Sequence, residues 1–204
     1  ERNRMIWAWH HAEEAEPFYD VPEVEEFSSP EWTDIDCREF EIAIACQEMA
    51  ENNFDPAHFE VVHGTPAPPP SESEYAENGR FVRVTSKMQR ETPMGTFDTR
   101  LVRDTFGIGL STVVSEGLPG VGTMLFVSSS PIDATHSKMR WLLTVTKNVA
   151  DELGEEFMTG IVNGVKDDVP IWENKEYLAV PALAPTEKPL MDFRKWASQF
   201  YAEV

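Results

Sequence analysis

Apolar residues along this chain recur with period two through its middle and with helical spacing on either side, so strands are expected in the centre and helices around them. Between Phe81 and Asn148 the runs RFVRVTSKM, TFDTRLVRD, IGLSTVVS, GTMLFVSSS and SKMRWLLTVT are β-rich and separated by turn signals. In the last run Met139, Trp141, Leu143 and Val145 alternate with Lys138, Arg140 and Thr144, the pattern of a strand with one buried face. Short links between consecutive strands predict an antiparallel sheet. From Asp151 to Lys175 the spacing turns helical, with Leu153, Phe157, Ile161 and Val165 on one stripe. The tail PLMDFRKWASQFYAEV predicts a shorter amphipathic helix with Phe193, Trp196 and Phe200 turned inward.

Upstream of the strands, MIWAWHH reads as a short strand, and AEEAEPFYDVPEVEEFSSPEWTD is acidic, proline-punctuated and aperiodic, as a connecting segment would be. Ile35 to Ala45 is strand-like, and CQEMAENNFDPAHFEVVHG predicts a helix interrupted at Pro56. Gly64 to Arg80 is so rich in proline and serine that it predicts an exposed loop, either a surface insertion or a lid. The order helix, meander, long helix is that of an α+β fold, and no internal repeat is present.

At 204 residues and 41% hydrophobic, the chain can bury one substantial core. No apolar run reaches the ~18 residues needed to span a bilayer. The start ERNRMIWAWHH lacks the order of a signal peptide, and Cys37 and Cys46 form neither a disulfide framework nor a CxxC pair, so a reducing, cytoplasmic setting is expected. A net charge of -19 repels phosphate backbones and anionic lipid, which argues against nucleic-acid and membrane partners; it serves solubility or the docking of a basic redox partner.

The chemistry concentrates in ENNFDPAHFEVVH, which places Asn52, Asp55 and His58 three apart on one arc of a helix, with His63 five beyond His58. Five residues correspond to about 140° of further rotation, so both imidazoles meet one ion only if the helix bends or widens between them. A lone HxxxxH pair is usually a pair of surface or singly bonded histidines, and a third ligand is required. Asp168 continues the stripe of Phe157, Ile161 and Val165 and therefore occupies a core position, where an unpaired carboxylate is costly and a metal ion would satisfy it. Asp167 lies about 100° away and is expected to be exposed. Pro170 crowds the carbonyl of Lys166, so a kink is expected beside Asp168. Two histidines and one carboxylate on one side of an ion form the facial triad of non-haem Fe(II) oxygenases, with hydrolytic zinc as the nearest competitor. His10, His11 and His136 lack such a context and read as structural or exposed, and Met94, Phe97, Met124 and Phe126 are candidates for a pocket or for plain core.

These residues resemble the Rieske non-haem iron oxygenases: ENNFDPAHFEVVH matches their mononuclear-iron signature, and DDVPIWENK matches the region of their aspartate ligand at Asp168. The segments SSPEWTD and FRKWASQFYAEV extend the similarity toward the oxygenase component of 3-ketosteroid 9α-hydroxylases and related sterol oxygenases. The resemblance implies a helix-grip (START-like) fold, a curved antiparallel sheet around a long C-terminal helix. It also implies one Fe(II) held by His58, His63 and Asp168, with O2 as oxidant and a hydrophobic substrate, steroid or aromatic. By the same resemblance Asp55 would pass electrons from a neighbouring subunit's Rieske cluster, Asn52 would support the ligands, the protein would be a homotrimer, and a reductase or ferredoxin would donate electrons. The Rieske ligands themselves, CxH and CxxH, are not in this chain, since neither Cys37 nor Cys46 has a histidine at the required distance. The [2Fe-2S] cluster is therefore expected on a preceding domain, with residues 1–34 as connecting segment and 35–204 as the mononuclear iron domain, which would bind iron yet lack its electron source if isolated. The alternative is a lipid- or sterol-binding module without catalysis.

Overall fold

The computed structural model describes residues 1–92, 95–182, 184 and 187–202, apart from the side chains of residues 152–155. Among these residues seven strands carry the fold: β1 (Asp36–Ile42), β2 (Ser71–Tyr75), β3 (Phe81–Thr92), β4 (Gly95–Phe106), β5 (Leu110–Glu116), β6 (Thr123–Pro131) and β7 (Ser137–Val145). They form a single sheet in the order β1-β7-β6-β5-β4-β3-β2. Every neighbouring pair is antiparallel, so β2 to β7 are a meander and β1 closes on β7 from the other side. The sheet remains open, with β1 and β2 as its edges. This is the expected α+β arrangement.

The departures from the sequence reading have physical causes. Ser71–Tyr75 is a strand and not loop, because the proline run stops at Pro70 and an edge strand takes its hydrogen bonds from one neighbour only, here β3. MIWAWHH is not a strand; the chain there makes one isolated bridge, Arg2 to Met5, and turns Met5 and Trp7 onto the sheet while Ile6 stays exposed. Met5, Trp7, Val24 and Phe27 pack over Leu110, Met124, Phe126 and Leu142. That cover is why β7 is buried on both faces along its second half, with Leu142 and Thr144 as inaccessible as Trp141 and Leu143.

The opposite face of the sheet holds a second cluster, in which Ile42, Met49, Leu125, Met139, Trp141 and Leu143 meet Val162 and Trp172. Between β1 and β2 lie α1 (Cys46–Glu51), a 3₁₀ turn Asn52–Phe54, and α2 (His58–Val61). A long helix α3 (Lys147–Lys166) follows the sheet, then a single turn α4 (Val169–Trp172), then α5 (Lys188–Ala197). Helix α3 starts before Asp151 and stops well short of Lys175. Pro170 has no N–H to give the Lys166 carbonyl, so the chain tightens at Asp168, whose N–H reaches Val165, and restarts as α4. Helix α5 buries Phe193 and Trp196 against Val82, Val84 and Phe54, with the Phe54 and Phe193 rings stacked 4.2 Å apart, and Phe200 packs half-buried beside them.

Candidate metal centre

Proline shapes the first part of the site. The residue before a proline avoids the helical region, and Asp55 accordingly is extended, at φ -103° and ψ 101°. This ends the 3₁₀ turn and lets Asp55 Oδ1 accept the N–H of Ala57 at 2.8 Å, so that α2 begins at His58. His58 is 9% exposed and its Nδ1 lies on the carbonyl oxygen of Asp55. Helix α2 lasts one turn: Val62 N–H donates to the His58 carbonyl at 2.7 Å, and Thr65 N–H to that of Phe59 at 3.0 Å. His63 therefore stands in the turn after the helix, and its ring comes within 5.2 Å of His58, at 79° between planes. An uninterrupted helix would have held the two apart.

Asp168 comes from the break between α3 and α4 and is 4% exposed, while Asp167 is exposed. Asn52 Nδ2 donates to Asp168 Oδ2 at 3.2 Å, and His63 Nε2 lies 3.5 Å from Asp168 Oδ1. One ligand atom from each of His58, His63 and Asp168 lies within 4.8 Å of the others, and among the described residues this is the one cluster of metal-binding type. Asp55 meets this group through its carbonyl, while its Oδ1 accepts from Ala57.

The electrostatics suit a cation. Burial pushes the His58 imidazole below its ordinary pKa, against the pull of Asp168 and Asp55. A neutral His58 donating Nδ1–H to Asp55 leaves an Nε2 lone pair for a metal. The Asp168 carboxylate raises His63, although at 3.5 Å their contact is attraction between charges and not a full hydrogen bond. Asp168 Oδ1 is buried, and no group among the described residues donates a hydrogen bond to it. A carboxylate oxygen so placed is destabilised until a cation or donor reaches it. Two imidazole nitrogens and one carboxylate oxygen fit Fe(II), and equally zinc.

Behind the site, Glu51 is 2% exposed and accepts Arg194 Nε at 2.7 Å and Lys175 Nζ at 2.6 Å, which ties the end of α1, next to Asn52, to α5 and the chain after α4. Burial works against the Glu51 charge, but the two cations hold its pKa below the usual value.

The three groups border a cavity of about 1520 Å³ whose walls include Val113, Leu125, Val127, Met139, Trp141, Leu143 and Ile161, with Thr65 to Pro70 along one side. Met124 and Phe126 are not among its walls. Strand alternation turns Leu125 and Val127 into the cavity and sends their neighbours to the opposite face, under Trp7 and Phe27. Phe97 also lies outside the lining, and Met94 falls outside the described residues. One lining residue escaped the sequence reading. Arg103 is 3% exposed on β4, and its guanidinium lies 5.2 Å from the centre of the Phe59 ring. Burial lowers its pKa to about 10. Period two sets Arg103 in one row with Thr99, Leu101 and Thr105, and only the fold shows that this row faces inward.

The chain is similar to known proteins in sequence and in fold. The sequence matches the family model 3-Ketosteroid 9alpha-hydroxylase C-terminal domain over residues 8–201. It is 27% identical to cholesterol 7-desaturase of Caenorhabditis elegans, across 100% of this chain and 53% of that protein. It is 24% identical to a probable 3-ketosteroid-9-alpha-monooxygenase, oxygenase component, of Rhodococcus rhodochrous, across 98% of this chain and 55% of the relative. The chain thus spans about half the length of the curated relatives it matches. Among solved structures, the NdmA QL mutant with caffeine from Pseudomonas putida CBB5 superposes with a TM-score of 0.70 at 17% identity, over 88% of this chain and 53% of that one. Dicamba monooxygenase bound to dicamba gives 0.70 at 15% identity, over 98% and 67%. At such identities the likeness shows the fold.

Proposed function

This chain belongs to the 3-ketosteroid 9α-hydroxylase C-terminal domain family, the catalytic domains of Rieske oxygenases, and on that premise we propose that it is the oxygen-activating half of a terminal oxygenase. His58, His63 and Asp168 would hold one Fe(II), and an apolar substrate would occupy the adjoining cavity. The observation that carries this reading is Asp168 Oδ1, a buried carboxylate oxygen without a donor among the described residues, facing two imidazoles. When bound, Fe(II) supplies the reductive activation of O2 needed to hydroxylate a C–H bond.

The chain's own residues prepare that chemistry. Asn52 holds one oxygen of Asp168 and so keeps the other directed at the imidazoles. The Asp55 carbonyl fixes the His58 tautomer. Asp55 is half-buried on the loop ahead of His58, a position from which it would relay electrons arriving from outside the domain. The apolar walls exclude water and bind substrate through buried area. The names of the curated relatives, a cholesterol desaturase and 3-ketosteroid monooxygenases, make a steroid the substrate class of choice, and the cavity has room for one.

Electrons would come from a [2Fe-2S] Rieske cluster on another domain, served by a reductase or ferredoxin, with cluster and iron meeting between subunits of a homotrimer. Residues 1–34 would lead from that domain, and 35–204 would form the iron domain. No helix among the described residues is long and apolar enough to cross a membrane.

The test is anaerobic loading of the chain and of His58→Ala with Fe(II), read by metal analysis and by EPR of the nitric oxide adduct. The wild type is expected to hold a single iron per chain and give the adduct signal, and the variant to lose both. Unchanged iron content in His58→Ala would sink the proposal and leave a binding module without catalysis. Zinc with no Fe(II) signal would point to a hydrolase.

A further inference from the structure

We infer that Arg103 is the specificity-determining residue of the cavity and that it takes a carboxylate carried on an otherwise apolar substrate. This builds on the reading of the cavity as the substrate site.

Arg103 is the one charged member of its inward row on β4, between Leu101 and Thr105. Its only hydrogen bond among the described residues runs from Nη2 to Ser86 Oγ, and its Nε is buried without a partner. No described carboxylate lies within ion-pair distance; Asp55 acts on it only through space. The contrast within the same chain is informative. Arg194, also well covered, closes on both oxygens of Glu51, at 2.7 and 3.1 Å. A guanidinium taken out of water without an anion is costly, and its planar fork matches a carboxylate through two parallel N–H donors. An incoming carboxylate would give Arg103 what Glu51 gives Arg194.

Placement supports a role in selection. Phe59 touches the guanidinium and also both imidazoles, at 4.3 Å from His58 and 5.6 Å from His63 between ring centres. A molecule anchored at Arg103 therefore presents the carbons next to its acid group at the end of the cavity where His58, His63 and Asp168 converge. The apolar walls of β6 and β7 receive the rest of it.

The test is isothermal titration of the full chain with cholanate, with cholanate methyl ester, and with progesterone as a neutral ketosteroid. Cholanate is expected to bind about tenfold tighter than its ester, in line with the strength of charge-assisted hydrogen bonds. Arg103→Gln should abolish that preference, and Arg103→Lys should keep part of it, with circular dichroism confirming the fold of each. Equal affinity for acid and ester, no binding of either, or an unchanged preference in Arg103→Gln would overturn the proposal. Tighter binding of progesterone than cholanate, lost in Arg103→Gln, would assign Arg103 to a carbonyl and overturn it as well. The wild-type comparison alone can decide against it should Arg103→Gln not fold. His58→Ala, titrated in parallel, separates the two proposals: iron retained with the acid preference intact removes the oxygenase reading alone, and iron lost with no acid preference removes this one alone.

Discussion

Asn52 and Asp168, separated by 116 positions in the chain, are joined by a hydrogen bond of 3.2 Å from Nδ2 to Oδ2. The bond engages one carboxylate oxygen and leaves the other, buried and without a donor among the described residues, toward His63. An amide from the 3₁₀ turn thus orients a carboxylate from the break after α3.

Replacing Asn52 by Ala should therefore leave the fold intact and weaken Fe(II) binding by about 10- to 100-fold, the usual effect of removing a group that orients a ligand. Equilibrium dialysis against Fe(II) under anaerobic conditions measures this. Unaltered affinity would show that Asp168 needs no such support.

The two imidazoles should give the metal-free chain opposing pH dependences. His63 has its pKa raised above the ordinary 6.5 by Asp168, so its contribution to stability is complete below 6.5 and is lost as pH rises through the raised value. His58 has its pKa lowered below 6.5 by burial, so its contribution is complete above 6.5 and is lost as pH falls through the lowered value. Asp168 favours the charged form of both rings, so Asp168→Asn should remove the alkaline decline and steepen the acid one. Melting temperatures of chelator-treated protein from about pH 5 to pH 9 test the sign.

Glu51 is a buried charge whose partners come from distant parts of the chain, so breaking one pair should be costly. Arg194→Met is expected to lower stability by about 3 kcal/mol, the low end for a broken buried pair because Lys175 remains. Urea unfolding should show a lower midpoint at unchanged slope.

Phe126 is fully buried on the face away from the cavity, with Trp7 and Phe27 edge-on to it at 6.0 and 6.2 Å. Phe126→Ala should cost roughly 3–5 kcal/mol while iron content and ligand affinity of the folded fraction stay as in the wild type. A change in ligand affinity without loss of stability would contradict the assignment of Phe126 to the opposite face.

Much of this was legible in the chain as written. The five runs from Phe81 to Asn148 are strands because their period is two, and the stripe of Phe157, Ile161 and Val165 is a helix because its period is near four. Their order was enough for an α+β meander followed by a long helix. ENNFDPAHFEVVH and Asp168 could be singled out because each puts polar, metal-binding groups where apolar residues would otherwise be expected. Pro56 and Pro170 marked the breaks that bring those groups round, since a missing N–H and a fixed φ act locally.

What lay beyond the sequence was whatever depends on a partner in space. Ser71–Tyr75 became a strand because β3 offers a free edge, which the segment's own composition does not reveal. The face on which Leu125 or Phe126 would find the cavity could not be chosen from alternation, which yields two equivalent rows. Packing of the acidic N-terminal segment onto one of them made that choice. The same holds for Arg103, an ordinary exposed cation by residue type, whose burial beside Phe59 follows from the register of β4 between β3 and β5. Periodicity and proline chemistry act within a few residues of chain and so are written in the sequence. Burial, edges and the choice between two faces are properties of surfaces that exist only once distant segments have met.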